Sequence, residues 1–146
     1  MATGIIVTGH GRFAEGITSA VDLIAGPQKN YVAVNFEHEV DKLEKDLISA
    51  LDSLKECSGI LIFTDLPGGS PYKTAVLLAQ NYDNVEIIAG TNLPMLTEIV
   101  MSRSFLDDSS AMCTMAINTG KDMISRFNIQ SVLSSTEECT DFSDGI

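Results

Sequence analysis

Residues 4–17, "GIIVTGHGRFAEGI", decide the reading of the fold. Gly4 to Thr8 is a short Ile- and Val-rich run that stops at a glycine, the pattern of a strand buried on both faces. Phe13, Ile17, Ala20, Val21 and Ile24 then recur at helical spacing, and Gly26-Pro27 ends that helix. Between strand and helix stands His10, with Gly9 and Gly11 on either side of it. Flanking glycines let the backbone turn tightly and leave room for something bulky at the ring.

Outward from this unit the pattern repeats. Tyr31 to Phe36 is a second strand, and Val40, Leu43, Leu47, Ile48, Leu51 and Leu54 form the apolar stripe of a helix. Gly59 to Thr64 is a third buried strand. Gly68-Gly69-Ser70-Pro71 opens a helix over Tyr72 to Gln80. Val85 to Ala89 is a fourth strand, followed by a helix over Pro94 to Ser102. Strands alternating with helices predict a parallel sheet with helices on both faces. Right-handed crossovers leave few topologies, and the expected one is a flavodoxin-like α/β fold with strand order 2-1-3-4. Past Arg103 the pattern weakens. Ala111 to Phe127 reads as a helix with Gly120 inside it or breaking it, and residues 1–130 make one domain. Residues 131–146 form a polar, acidic tail, read as weakly ordered or as an extra C-terminal edge strand.

Composition narrows the function. The 146 residues are 45% hydrophobic and carry a formal net charge of −11. That charge argues against nucleic acid and anionic membranes as partners, and suits a basic protein partner. Cys57, Cys113 and Cys139 lie far apart with no C-x-x-C pair, which predicts neither a disulfide framework nor a zinc site and suits a reducing cytoplasm. No signal peptide or membrane span is expected.

In open parallel sheets, ligands sit beyond the carboxyl ends of the strands, where the strand order reverses. Three loops leave that edge: Gly9-His10-Gly11, Asp65 to Pro71, and Thr91 to Pro94 with Asn92 inside it. If strands one and three are neighbours, His10 and Asp65 emerge together. Asp65 could then hold one ring nitrogen and leave the other free as a nucleophile. Ser70 suits the N-cap of the next helix and Pro71 its first position, so free amides there make an anion site. Gly68 and Gly69 permit close approach. The set predicts a phosphohistidine carrier with no metal, because none of the three loops holds a second histidine or a cysteine. Each residue alone has an ordinary explanation, Asp65 as a loop cap and Ser70 as an N-cap. Arg12, just after the turn, is a candidate phosphate or partner contact, and Arg103 a weaker one beside its default as an exposed arginine. His38, between Glu37 and Glu39, reads as a solvated surface residue, and Met95, Met101, Met112, Met115 and Met123 as core.

The alternative is a small dinucleotide-binding or regulatory module of the same shape. Gly9 to Ala14 fits G-x-G-x-x-A after a strand, with Glu37 as the candidate ribose-binding acid. Glu37 stands past Asn35-Phe36, however, and the chain is short for a nucleotide domain plus a substrate domain. A receiver domain would carry clustered acids at the end of strand one, and "IIVTGHG" has none.

Three segments in order, "GIIVTGHGRFAEGI", "GILIFTDLPGGSPYKTA" (59–75) and "VEIIAGTNLPMLTEIVMSR" (85–103), carry T-G-H-G, D-x-x-G-G-S-P and G-x-N-x-P-M-L. Over residues 3–127 the chain resembles the IIA component of the mannose/fructose/sorbose family of the bacterial phosphoenolpyruvate-dependent sugar phosphotransferase system. The resemblance implies a cytoplasmic protein-histidine phosphotransferase that needs no metal or nucleotide cofactor. His10 would take a phosphoryl group from HPr and pass it to the IIB component, with the membrane components IIC and IID involved only indirectly. Asp65 would hydrogen-bond the active histidine, and Ser70 would lie near the phosphoryl group. Gly9, Gly11, Arg12, Gly68, Gly69 and Asn92 would contact phosphate or partner. Homodimers are implied, some exchanging a C-terminal strand, which gives the tail a possible dimer contact. Arg12 and Pro67 stand where the mannose transporter's IIA has bulky residues, so partner preference at the docking surface would differ.

Overall fold

The computed structural model describes residues 2–134. Its elements are β1 (Gly4–His10), α1 (Phe13–Ala25), β2 (Tyr31–Phe36), α2 (Val40–Ser53), β3 (Ile60–Thr64), α3 (Ser70–Ala79), β4 (Val85–Ile88), α4 (Leu93–Ser102), α5 (Ser109–Asp122) and α6 (Ile129–Ser134). The four strands form one parallel sheet in the order β2-β1-β3-β4, as the alternation predicts. The order reverses between β1 and β3, so the loops leaving these two strands open a crevice at the carboxyl edge.

Alternation along the strands sorts the core into two layers. Ile5 and Val7 of β1 and Leu61 and Phe63 of β3 pack with Leu96 and Ile99 of α4 and Met112 and Ala116 of α5, all buried. Ile6, Ile60 and Ile62 point the other way, against Leu43, Leu47 and Leu51 of α2 and Ala75 of α3. Leu43, Leu47 and Leu51 are spaced by four residues and so share one helix stripe. Each buried leucine contributes about 1.5–3 kcal/mol relative to an exposed one.

Several boundaries differ from the sequence expectation. β1 runs two residues past Thr8, because its pairing with β2 continues through Gly9↔Asn35 and His10↔Phe36. His10 is therefore the last residue of a strand and is held by the sheet. Gly120 lies buried inside α5, where a β-carbon would stand 2.5 Å from Cε of Met95. α5 stops at Asp122, short of Phe127. Its N-terminus is capped by Asp108, which accepts from the Ser110 and Ala111 amides at 2.9 and 3.4 Å.

Met101 and Met123 are exposed, against the core role expected of them: the buried face of α4 is Met95, Leu96, Ile99 and Val100, and Met123 stands past the end of α5, whose buried face is Met112, Ala116 and Gly120. The edge strand expected in residues 131–146 meets the end of α6 at 131–134, and the rest of it lies outside the described residues. Among the described residues no helix is long and apolar enough to cross a membrane.

Arg103 is buried, contrary to the exposed default. From the C-terminus of α4 its Nη1 donates to the carbonyls of Thr3 and Asn30, both at 3.0 Å. Its Nη2 donates to Gln28 Oε1 at 3.2 Å and to the Lys29 carbonyl. Burial pushes the guanidinium pKa down from its ordinary value. These partners precede β1 and β2, so Arg103 ties the amino edge of the sheet together, opposite the edge that carries His10.

Candidate functional site

His10 ends β1 and Asp65 follows β3, the neighbouring strand. The imidazole Nδ1 lies 2.8 Å from Asp65 Oδ2, and the His10 backbone amide donates to the same oxygen at 2.8 Å. Asp65 Oδ1 accepts from the Leu66 amide, also at 2.8 Å. Burial opposes the charge on Asp65, but these hydrogen bonds outweigh it and hold the carboxyl below its usual range. An ionised carboxylate only accepts, so the hydrogen between the two groups belongs to Nδ1. Nε2 of the neutral ring is then the free lone pair. The His10 side chain is 45% exposed and that of Asp65 is 14% exposed, which leaves the imidazole at the surface and the carboxylate beneath it.

The glycines of these loops differ in what they make possible. A β-carbon at Gly9 would meet the Phe13 ring at 2.5 Å and Asp65 Cγ at 3.0 Å, so Gly9 makes room for those two side chains. Gly11 and Gly68 have φ of +59° and +79°, the left-handed region that favours glycine. Gly69 lies against the histidine itself, where a β-carbon would stand 2.7 Å from His10 Cε1.

Ser70 is the first residue of α3, and the N-cap is Gly69, which makes no side-chain cap. Ser70 as N-cap is thus corrected by one position, because the extended Gly69 (φ −71°, ψ 169°) already marks the change into helix. Pro71 follows at the second helical position. It has no amide hydrogen, and the Gly69 amide donates to the Leu66 carbonyl at 3.2 Å. The first-turn donors left for an anion are the amides of Ser70 and Tyr72, joined by the Ser70 hydroxyl and the dipole of a ten-residue helix.

Arg12 and Asn92 have protein partners. Arg12 forms a forked pair with Glu15, Nε to Oε2 at 2.8 Å and Nη2 to Oε1 at 2.9 Å, and lies 3.8 Å from Glu37. Its hydrogen bonds hold the Glu15 carboxyl below the usual range. Asn92 caps α4 by accepting from the Met95 amide at 3.2 Å and donates to the Gly120 carbonyl at 3.0 Å, binding α4 to α5. His38 is exposed, as expected.

Phe36, which sequence reasoning does not single out, lies beside the histidine. The two rings meet edge to face with centroids 5.7 Å apart. A groove of about 440 Å³ runs between β2 and α2, and Phe36 and Glu37 are among its lining residues. The only sequence signal for Phe36 was its place at the end of the second strand, and its partner depends on the register of β1 against β2.

Comparison with known proteins places this geometry in context. The family model described as the PTS system fructose IIA component matches residues 4–117. The chain is 28% identical over 124 residues to the PTS system mannose-specific EIIAB component of Escherichia coli, a match covering 84% of this chain and 38% of that protein. The chain thus spans well under half the length of that relative. It is 32% identical over 100 residues to the PTS system sorbose-specific EIIA component of Lacticaseibacillus casei, covering 67% of this chain and 72% of that one. The crystal structure of phosphotransferase system component EIIA from Streptococcus agalactiae superposes with a TM-score of 0.79 at 30% identity, over 86% of this chain and 97% of that one.

Proposed function

The chain belongs to the PTS fructose IIA component family, and on that premise we propose that it is a phosphoryl carrier of a sugar phosphotransferase system, charged on His10. In this reading it works in the cytoplasm, taking the group from phospho-HPr and giving it to a IIB component. The observation that carries the reading is the His10–Asp65 pair: Nδ1 is engaged at 2.8 Å and Nε2 is left free on a side chain that is 45% exposed.

The transfer is an in-line displacement. The Nε2 lone pair attacks phosphorus, the donor's P–N bond breaks on the far side, and its electron pair returns to the donor ring. Docking supplies most of the acceleration by setting the two nitrogens on one line. Nδ1 keeps its hydrogen, so the phosphorylated ring carries a positive charge that faces the Asp65 carboxylate. The Ser70 hydroxyl and the Ser70 and Tyr72 amides would stabilise charge on the equatorial oxygens. Passing the group to IIB is the same step reversed. The homodimer implied by the resemblance is part of this proposal, and the exposed Ile117, Met123 and Ile124 offer it apolar surface.

Intact mass tests the reading. After incubation with phosphoenolpyruvate, Enzyme I and HPr, the protein gains one phosphoryl group, loses it in mild acid, and gains none as His10→Ala. No gain with active HPr, or an equal gain in His10→Ala, overturns it.

A further inference from the structure

Among the described residues the His10 ring has one hydrogen bond, to Asp65, and one such bond fixes a ring plane loosely. The torsion between Cβ and Cγ is broad in histidine, and hydrogen-bond angles tolerate some tens of degrees. In-line transfer tolerates less, and a misplacement of about 1 Å can cost about 100-fold in rate. Two further contacts supply the missing restraint. Gly69, after β3, lies so close that a β-carbon would stand 2.7 Å from Cε1. Phe36, from β2 on the other side of β1, sets its ring edge to face with the imidazole at 5.7 Å and an interplanar angle of 67°.

Phe36 is itself well anchored. It pairs with His10 in the β1–β2 register, and its carbonyl accepts the Gly11 amide at 2.7 Å just past the histidine. Its side chain packs against the core layer under α2. The Phe36 backbone is thus tied to the same strand that carries His10, and its ring is held by the packing under α2.

We propose that Phe36 is a positioning residue. Together with Gly69 it forms a slot that sets the plane of the His10 imidazole and aims Nε2 along one line. The inference rests on the phosphoryl-carrier reading for its kinetic consequence, while the slot itself is read without any transfer.

The test uses the full chain as wild type, Phe36→Leu, Phe36→Met and Phe36→Tyr. Leu and Met keep the apolar packing under α2 and remove the ring, so either one serves if the other fails to fold. Two quantities are measured: the imidazole nitrogen resonances of unphosphorylated His10, and the rate of phosphorylation by phospho-HPr separated into kcat and KM. We expect the ring-less variants to reach full phosphorylation with kcat lowered about tenfold or more and KM unchanged. Their His10 resonances shift from the wild-type positions. Phe36→Tyr keeps the wild-type resonances and a near-wild-type kcat. A folded ring-less variant with unchanged kcat, or a lowered kcat with unchanged resonances, overturns the proposal. If the wild type accepts no phosphoryl group, the carrier reading fails separately. The resonances then decide the slot alone, and identical spectra in wild type and Phe36→Leu refute it.

Discussion

One oxygen of Asp65, Oδ2, accepts from both the backbone amide and the ring Nδ1 of His10, each at 2.8 Å. The same atom therefore holds the end of β1 and sets the tautomer. Asp65→Asn separates these roles. An amide oxygen can still accept, but the turned-over amide would donate to Nδ1 and move the ring hydrogen to Nε2. Asp65→Asn is expected to phosphorylate about 100-fold more slowly, while Asp65→Ala also loses about 2 kcal/mol of stability from hydrogen bonds to a charged group. Single-turnover rates and urea midpoints measure the two losses, and an Asn variant as fast as wild type would refute the tautomer role.

The lowered pKa of Asp65 gives this stability a pH window. Its usual value is 3.8, and the folded value lies below it. A depressed carboxylate stabilises the fold fully above the unfolded value and loses that stabilisation as the pH falls through the folded one. Wild type should therefore exceed Asp65→Asn in urea midpoint at pH 7, and the gap should close as the pH drops below 3.8. A gap that stays constant down to acid unfolding would show that the hydrogen bonds to Asp65 are not charge-assisted.

Gly69→Ala tests the other wall of the histidine. The Gly69 backbone, at φ −71° and ψ 169°, suits any residue. An N-cap alanine costs about 1 kcal/mol or less against glycine. The added methyl would fall 2.7 Å from Cε1 of a side chain that can move, so the ring yields and the fold stays. The expected result is an unchanged circular-dichroism spectrum, a melting temperature within a few degrees, and phosphorylation slowed about tenfold by the displaced ring. Wild-type kinetics in Gly69→Ala would show that the ring does not need this wall.

The order of strands and helices was legible because apolar runs of four to seven residues, too short for helices of this length, alternate with stripes such as Leu43-Leu47-Leu51. The adjacency of His10 and Asp65 followed from strand order alone. What remained hidden depends on register and on distant contacts. Phe36 meets His10 only because β2 pairs with β1 at that offset. The burial of Arg103 rests on Thr3, Gln28, Lys29 and Asn30, which lie 73 to 100 residues away and give no local signal. Gly69 reads from the sequence only as permitting close approach, because the ring it faces, that of His10, stands 59 positions earlier.

Arg103→Ala should separate stability from transfer. Its guanidinium donates to Thr3, Asn30, Lys29 and Gln28 at the amino edge of the sheet, and removing it takes this donor from the buried Thr3 carbonyl and from the half-buried Gln28, while the Asn30 carbonyl keeps the Ile5 amide. A loss of about 3 kcal/mol is expected, and Arg103→Lys should recover only part of it, since an ammonium cannot reproduce the fork. At temperatures where the variant stays folded, kcat for phosphorylation should match wild type. Equal stability of Arg103→Ala and wild type would contradict the clamp.

Arg12 differs from Arg103 in every respect that matters here. Its side chain is 71% exposed and already forked onto Glu15, so Arg12→Ala should leave the melting temperature unchanged. The interest lies in docking. With a net charge of −11, the chain would attract a donor that presents a basic face, and Arg12, a local cation beside His10, would oppose this attraction. Removing it should lower KM for phospho-HPr, and the wild-type rate should fall as salt is raised from 50 to 500 mM, roughly the range over which the Debye length shrinks from above 10 Å to about 4 Å. If Arg12 instead contacts the phosphoryl group, Arg12→Ala lowers kcat and leaves KM alone. A steady-state titration of phospho-HPr at two salt concentrations tells the two apart.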